Sequence, residues 1–167
     1  MKIGSICKRR VATIDSASTP IQAAALMREH HVGALVVTTQ TPEGLRVSGI
    51  VTDRDLVIDA LAEGVDGISR EIGALTSRQV ASVSEDDDVP GAIAVMQDNR
   101  VRRLLVVNAE QRLVGIISLD DLVEACASQL DGLAKAIRGG IENEVVDTLT
   151  VPSVPLLLRM PSMGAAA

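Results

Sequence analysis

A chain of 167 residues with 47% hydrophobic and 23% charged content can bury one ordinary core, or two small repeats packed as a unit, and is too apolar to be disordered. The net charge of −6 argues against a general nucleic-acid binder, which needs a basic surface, and against attraction to anionic lipid. No run reaches the ~20 apolar residues of a membrane span, no apolar leader precedes Cys7, and Cys7 and Cys126 make neither a disulfide framework nor a metal-spaced pair, so a reduced cytoplasmic location is expected.

Residues 11–14 read as a short β-branched strand. Thr19-Pro20-Ile21-Gln22 then opens a helix, with Thr as N-cap, Pro at the first helical position and Gln at N3. Apolar Ile21, Ala24, Ala25 and residues 27–32 give it a buried face. His30 and His31 close this helix; adjacent residues do not share a helix face, so no metal pair is expected there. Gly33 ends it, residues 34–38 form an apolar strand, and Gln40-Thr41-Pro42-Glu43-Gly44 turns the chain into a strand over 46–51. A helix over 53–63, closed by Gly64, completes a β-α-β-β-α order.

The same order then repeats. Ile3-Gly4 aligns with Ile72-Gly73, Val11-Ala12-Thr13-Ile14 with Val80-Ala81-Ser82-Val83, and Leu35-Val36-Val37 with Leu104-Leu105-Val106, an offset of 69. After the next loop the offset is 66, because residues 38–46 are three longer than their counterpart. The second repeat reads as strand 80–83, helix 88–100, strands 103–108 and 112–117, and a helix from 119. The acidic run Glu85-Asp86-Asp87-Asp88 suits a helix N-terminus. The expected division is 1–64, 65–128, and an extension over 129–167. Along the last helix Leu119, Leu122, Val123, Cys126, Leu130, Leu133 and Ile137 recur at spacings of three and four, as far as Arg138 before Gly139-Gly140. The stripe needs a cover: a second copy, or the proline-containing tail from Thr150 folded back.

One stretch recurs that can carry chemistry. Gly49-Ile50-Val51-Thr52-Asp53-Arg54-Asp55 returns as Gly115-Ile116-Ile117-Ser118-Leu119-Asp120-Asp121. Each is a strand end, a turn and a first helical turn. Thr52-x-x-Asp55 and Ser118-x-x-Asp121 fit a capping box, which needs no ligand. Yet each follows a glycine that permits close approach, and each sets a carboxylate beside helix N–H groups. Phosphate suits the N–H groups and ribose hydroxyls suit the carboxylate, which together point to a nucleotide. With no Phe, Tyr or Trp in the chain, a base would lie between aliphatic side chains.

The two repeats resemble tandem cystathionine β-synthase-type (CBS) domains, a Bateman module, over residues 2 to 125. The residues that carry the likeness are the paired Val-Ala strands, the 101–107 stretch Val-Arg-Arg-Leu-Leu-Val-Val, and the two corners. The resemblance implies an α+β fold of two β-α-β-β-α repeats about a pseudo-twofold axis, extended here by a C-terminal helix. It implies a regulatory module that binds adenine nucleotides between the repeats, with a corner aspartate on ribose and an arginine at the second strand on phosphate. Residue by residue, one cleft would use Ser118, Asp121 and Arg103 against Val11, Ala12 and Ile116. The other would use Thr52 and Asp55 against Val80, Ala81 and Ile50. There the position matching Arg103 is Ala34, so this cleft is expected to be weaker, empty, or selective for a less charged adenosine derivative, with Arg78 or Arg54 as substitutes. Arg102 is expected on the opposite strand face from Arg103. Lys8-Arg9-Arg10 offers extra positive charge near the cleft of Ser118 and Asp121.

The function expected is a non-enzymatic sensor of AMP, ADP, ATP, NAD or S-adenosylmethionine, a homodimer acting on a protein in trans. It would have no metal or cofactor beyond that regulatory ligand, and no nucleic-acid or membrane partner. The competing reading is a structural dimerisation module with empty clefts. Catalysis finds no support: there is no Ser-His-Asp or Cys-His arrangement and no P-loop, and Cys7, though beside Lys8 and Arg9, suits burial better than reactivity.

Overall fold

The structure is a computed structural model that describes residues 1–76 and 80–148, with side chains as far as 142. Arg78 and the tail from Thr150 lie outside the described residues. The chain divides into two units, Met1–Ala125 and the part from Cys126 onward.

The first unit holds both repeats. In the first, β1 (Thr13–Asp15), α1 (Pro20–His30), β2 (Ala34–Thr41) and β3 (Gly44–Thr52) lead into α2, which starts as Asp53–Asp55 and continues as a π-helical stretch, Leu56–Leu61. Two short helices follow, α3 (Val65–Ile68) and α4 (Ile72–Leu75). The second repeat has β4 (Ser82–Ser84), α5 (Val89–Asn99), β5 (Arg103–Val107) and β6 (Leu113–Ser118), and α6 (Leu119–Thr148) begins where β6 ends. Each repeat makes a three-stranded sheet, β1-β2-β3 and β4-β5-β6, with the first pair parallel and the second antiparallel. The registers of β2–β3 and β5–β6 each shift at twin sites, between Val37 and Thr38 and between Val106 and Val107.

Local chemistry explains these elements. Thr19 accepts the Gln22 N–H at 3.3 Å while Gln22 Oε1 accepts the Thr19 N–H at 2.8 Å, the box expected from sequence. Asp88 caps α5 by accepting the Gly91 N–H at 2.9 Å. Both helices end on a left-handed residue, His31 and Arg100, each with φ 53°. In the first repeat Ile14, Ala23, Met27, Leu35, Val37 and Val51 form the core, joined by Ile72 and Leu75 of α4. With no aromatic ring to fill volume, aliphatic side chains make the whole of it.

The repeats clasp each other by exchanged arms. The Ile3 and Gly4 N–H groups donate to the carbonyls of Asp87 and Glu85 at 2.9 and 2.8 Å. In the twin contact the N–H groups of Ile72 and Gly73 donate to Ser18 and Ser16 at 2.7 and 2.8 Å. Ile3 and Ile72 are fully buried. Each repeat therefore lends the other a buried isoleucine and two backbone hydrogen bonds.

Several sequence expectations shift. The first strand of each repeat begins two residues later than expected, so Val11-Ala12 and Val80-Ala81 precede β1 and β4 rather than lie in them. The acidic run lies just before α5 as expected, but only Asp88 caps the helix, and Glu85 and Asp86 pair with Arg9 and Lys2 at 3.2 and 2.6 Å. Helix α6 does not stop at Gly139-Gly140 but continues to Thr148. Glycine costs about 1 kcal/mol in a helix, against about 3 for proline, and the next proline is Pro152.

In the second unit α6 displays its apolar stripe. Leu130, Leu133, Ile137 and Ile141 are each more than half exposed. A Lys135–Asp131 ion pair of 2.7 Å runs along the helix surface.

Candidate functional site

The two corners form the same local structure. Thr52 donates to Asp55 Oδ2 through its N–H at 2.8 Å and its hydroxyl at 2.7 Å, and Thr52 Oγ1 accepts the Asp55 N–H at 3.3 Å. Ser118 does the same for Asp121, with 2.8 Å from the N–H, 2.5 Å from the hydroxyl and 3.2 Å for the return bond. The first N–H of each helix is also taken: Asp53 N–H donates to the Gly33 carbonyl at 3.2 Å and Leu119 N–H to the Arg102 carbonyl at 2.9 Å. These helix N-termini therefore have less to offer a phosphate than the sequence implies.

The corner glycines serve a different contact from the one expected. A β-carbon on Gly115 would stand 2.9 Å from both Cys7 Sγ and the Lys8 carbonyl oxygen, and one on Gly49 2.7 Å from Thr76 Cβ. The space they leave is filled by the exchanged arms. Lys8 pairs with the edge of β6, its N–H donating to Ile116 at 2.9 Å and its carbonyl accepting from Ile116 at 3.0 Å.

Each corner opens into a cavity walled by the other repeat. Thr52, Asp55 and Ile50 face Val80 and Ala81 across a space of about 590 Å³, called cleft 1 below. Ser118, Asp121 and Ile116 face Val11 and Ala12 across about 250 Å³, cleft 2. Ser118, Asp121, Arg103, Val11, Ala12 and Ile116 line cleft 2, and Thr52, Asp55, Val80, Ala81 and Ile50 line cleft 1 together with Arg54; Arg78 lies outside the described residues.

The distribution of charge gives cleft 1 more cations than its own repeat supplies. Ala34 indeed leaves its own repeat without a strand arginine, but Arg54, Arg100, Arg102 and Arg103 all line this cavity. Residue 102 precedes β5 rather than sitting in it, so strand alternation does not turn its side chain away from Arg103. Cleft 2 holds Lys8, Arg10, His31 and Arg103 beside Asp120 and Asp121. Arg103 lines both cavities.

In cleft 2 the carboxylate is already engaged. Asp121 Oδ1 lies 2.8 Å from Lys8 Nζ, with the Asp121 side chain 11% exposed and that of Lys8 68%. Burial of the Asp121 carboxyl opposes its ionisation, but the Lys8 ammonium and the Ser118 donors outweigh burial and hold the group below its ordinary range. Asp121 in turn raises the Lys8 ammonium. The depressed carboxyl stabilises the fold above the ordinary pKa of 3.8 and loses that contribution as pH falls through its lower folded value. The raised ammonium contributes below pH 10.5 and loses its part above. In thermal melts, native protein is thus expected to exceed Asp121→Asn by a constant margin from about pH 5 to 9, closing below about pH 4. A margin unchanged down to pH 2 would contradict the pairing.

The CBS domain family model matches residues 3–59 and 70–128, the two repeats in turn. The chain belongs to the CBS-domain family. An uncharacterised protein of Methanopyrus kandleri is 33% identical over 127 residues, 74% of this chain; the match spans 62% of that longer relative, under two thirds of its length. Hypoxic response protein 1 of Mycobacterium tuberculosis is 35% identical over 112 residues, 67% of this chain and 76% of that protein. A crystal structure of Hypoxic Response Protein I with two coordinated zinc ions has a TM-score of 0.62 at 31% identity, covering 74% and 98% of the two chains. A CBS-domain protein of Pyrobaculum aerophilum, solved in complex with AMP, shares the fold with a TM-score of 0.63 at 24% identity, over 72% and 89%.

Within this CBS pair, the residues that sequence reasoning missed are mostly cations. Arg100 and His31 are twins at the offset of 69, both left-handed helix ends, and each lines the cleft whose corner belongs to the other repeat. That offset was the available signal. Among the described residues no group of three or more His, Cys, Asp and Glu side chains is placed to hold a metal.

Proposed function

We propose that this CBS pair is a non-catalytic sensor of adenine nucleotides, held between the repeats and reported to a partner. The observation that carries the reading is cleft 1: a carboxylate at a strand-to-helix corner, an aliphatic wall from the other repeat, and four arginines in one cavity of about 590 Å³. Asp55 suits a ribose diol, Val80, Ala81 and Ile50 suit the faces of a base, and guanidinium groups suit phosphate. The AMP held by the Pyrobaculum relative is in keeping with this chemistry. The arginine count favours a phosphorylated ligand over a neutral adenosine derivative.

A ligand that touches both repeats shifts their arrangement only by its differential affinity for the alternatives. Because α6 starts at the Ser118 and Asp121 corner, ligand loading in cleft 2 acts on the root of that helix. The second copy of the chain is the proposed occupant of the α6 stripe. Leu119, Val123, Cys126, Leu130, Leu133 and Ile137 alternate at four and three residues, the seam of a coiled coil. Ala127, Ala134 and Ala136 flank it and allow close approach. Asp120, Asp121, Glu124 and Asp131 make its first part acidic, whereas Lys135 and Arg138 make the next part basic, so an antiparallel second copy sets unlike charges together.

No helix among the described residues is long and apolar enough to cross a membrane; a cytoplasmic sensor acting in trans is the setting proposed. Calorimetric titration with AMP and ATP, beside Asp55→Ala and Asp121→Ala, tests the reading. One observation favours the alternative of an interaction module with empty clefts: both aspartates already serve as helix caps. If they only cap, each alanine variant loses about 1 kcal/mol of stability and no nucleotide binds to any form.

A further inference from the structure

We infer that Arg103 is shared by the two clefts, so that a phosphate bound in cleft 1 weakens phosphate binding in cleft 2. The inference rests on the nucleotide reading above and adds a coupling between its two sites.

Three observations carry it. Arg103 lines both cavities. It opens β5 opposite Ser118, the hydroxyl of the cleft 2 corner. Its guanidinium reaches the divide: Arg103 Nη2 lies 3.7 Å, and Asp53 Oδ2 3.1 Å, from the point where a β-carbon on Gly33 would stand. Gly33 lines cleft 2 and Asp53 lines cleft 1. The side chain therefore sits at the boundary, within reach of either ligand.

The repeats are unequal at this position. The twin of Arg103 is Ala34, so one guanidinium stands where a symmetric pair would have two. Among the described residues no carboxylate forms an ion pair with Arg103, and it is free to turn to a phosphate on either side. The clefts do not depend on it equally. Cleft 1 keeps Arg54, Arg100 and Arg102 without it. Cleft 2 keeps Arg10, His31 and a Lys8 already spent on Asp121. A planar guanidinium cannot give the same donors to two phosphates at once. A phosphate in cleft 1 thus leaves cleft 2 short of one charge-assisted contact, a difference of about tenfold in affinity. A nucleoside without phosphate makes no claim on the guanidinium and should fill the clefts independently.

The test is calorimetry of the full chain with AMP and, separately, adenosine. Cleft 1 is blocked without touching Arg103 by Ala81→Phe, which fills its wall, and independently by Asp55→Asn, which weakens its hold on ribose. With AMP, cleft 2 of either blocked variant is expected to bind about tenfold tighter than the second, weaker event of the native chain. Arg103→Gln should abolish that difference, and adenosine should never show it. Equal cleft 2 affinities in native and blocked chains, or a difference that survives Arg103→Gln, would overturn the sharing of Arg103 while leaving nucleotide binding intact. A native chain that binds no AMP would overturn the nucleotide reading and the coupling with it.

Discussion

A chain carrying Leu130→Glu and Leu133→Glu is expected to sediment as a monomer at concentrations where the native chain is a dimer. Both leucines stand on the exposed stripe of α6, 66% and 62% exposed. Six side chains of this kind offer on the order of 500 Å² of apolar surface per copy, about 1,000 Å² in a pair, the lower limit for a specific interface. An interface at that limit cannot absorb four buried carboxylates, two from each copy, without partners. The dissociation constant should rise at least a hundredfold, about 3 kcal/mol. Glutamate is a good helix former, so α6 itself should persist and the far-ultraviolet circular dichroism of the variant should agree with that of the native chain. A variant that remains dimeric would show that the second copy is held elsewhere and would remove α6 as the seam.

Gly115→Val should be the most damaging single substitution near the clefts. Its β-carbon would meet Cys7 Sγ and the Lys8 carbonyl oxygen at 2.9 Å each, and one of these contacts is backbone. The arm must retreat from β6, which breaks the two Lys8–Ile116 hydrogen bonds and the Lys8–Asp121 pair and loosens the fully buried Ile3. Overpacking of this sort costs about 1–3 kcal/mol, and the lost arm contacts bring the expected total to about 4. In a domain of this size that lowers the melting temperature by roughly 10 °C or more. Gly132→Ala is the control: nothing stands within 4 Å of its β-carbon site, and alanine suits a helix better by about 1 kcal/mol. If Gly115→Val melts like the native chain, the arm is not a clasp between the repeats.

The two folds of the repeat could be read from sequence because their signals are local. Thr19 with Gln22, Pro20, and the Thr52–Asp55 and Ser118–Asp121 boxes each act within four residues. The arms escaped because their bonds are not local. Ile3-Gly4 and Ile72-Gly73 were visible as twins, but each is ordered only by the other repeat. Three of the four arginines of cleft 1 are non-local in the same way; Arg54 alone is placed there by the sequence. Arg103 matches Ala34 of the first repeat, so a position-by-position comparison gives cleft 1 no strand arginine, whereas Arg100, Arg102 and Arg103 reach it from the end of α5 and the start of β5 across the seam. Helix α6 outruns Gly139-Gly140 because glycine only weakens a helix, by about 1 kcal/mol, where proline would break it. The role of Gly49 and Gly115 was half legible: close approach was expected, and the approaching group turned out to be the chain itself.

The most direct test of the nucleotide reading is a titration of the ¹⁵N-labelled chain with AMP, followed by amide chemical shifts. Saturable shifts are expected in two groups. One is residues 50–55 with 80, 81 and 100–103, and the other is residues 10–12 and 31–34 with 116–121. Asp55→Ala should silence the first group, Asp121→Ala the second. An unchanged spectrum at millimolar AMP, or shifts confined to residues outside both corners and their walls, would contradict the account.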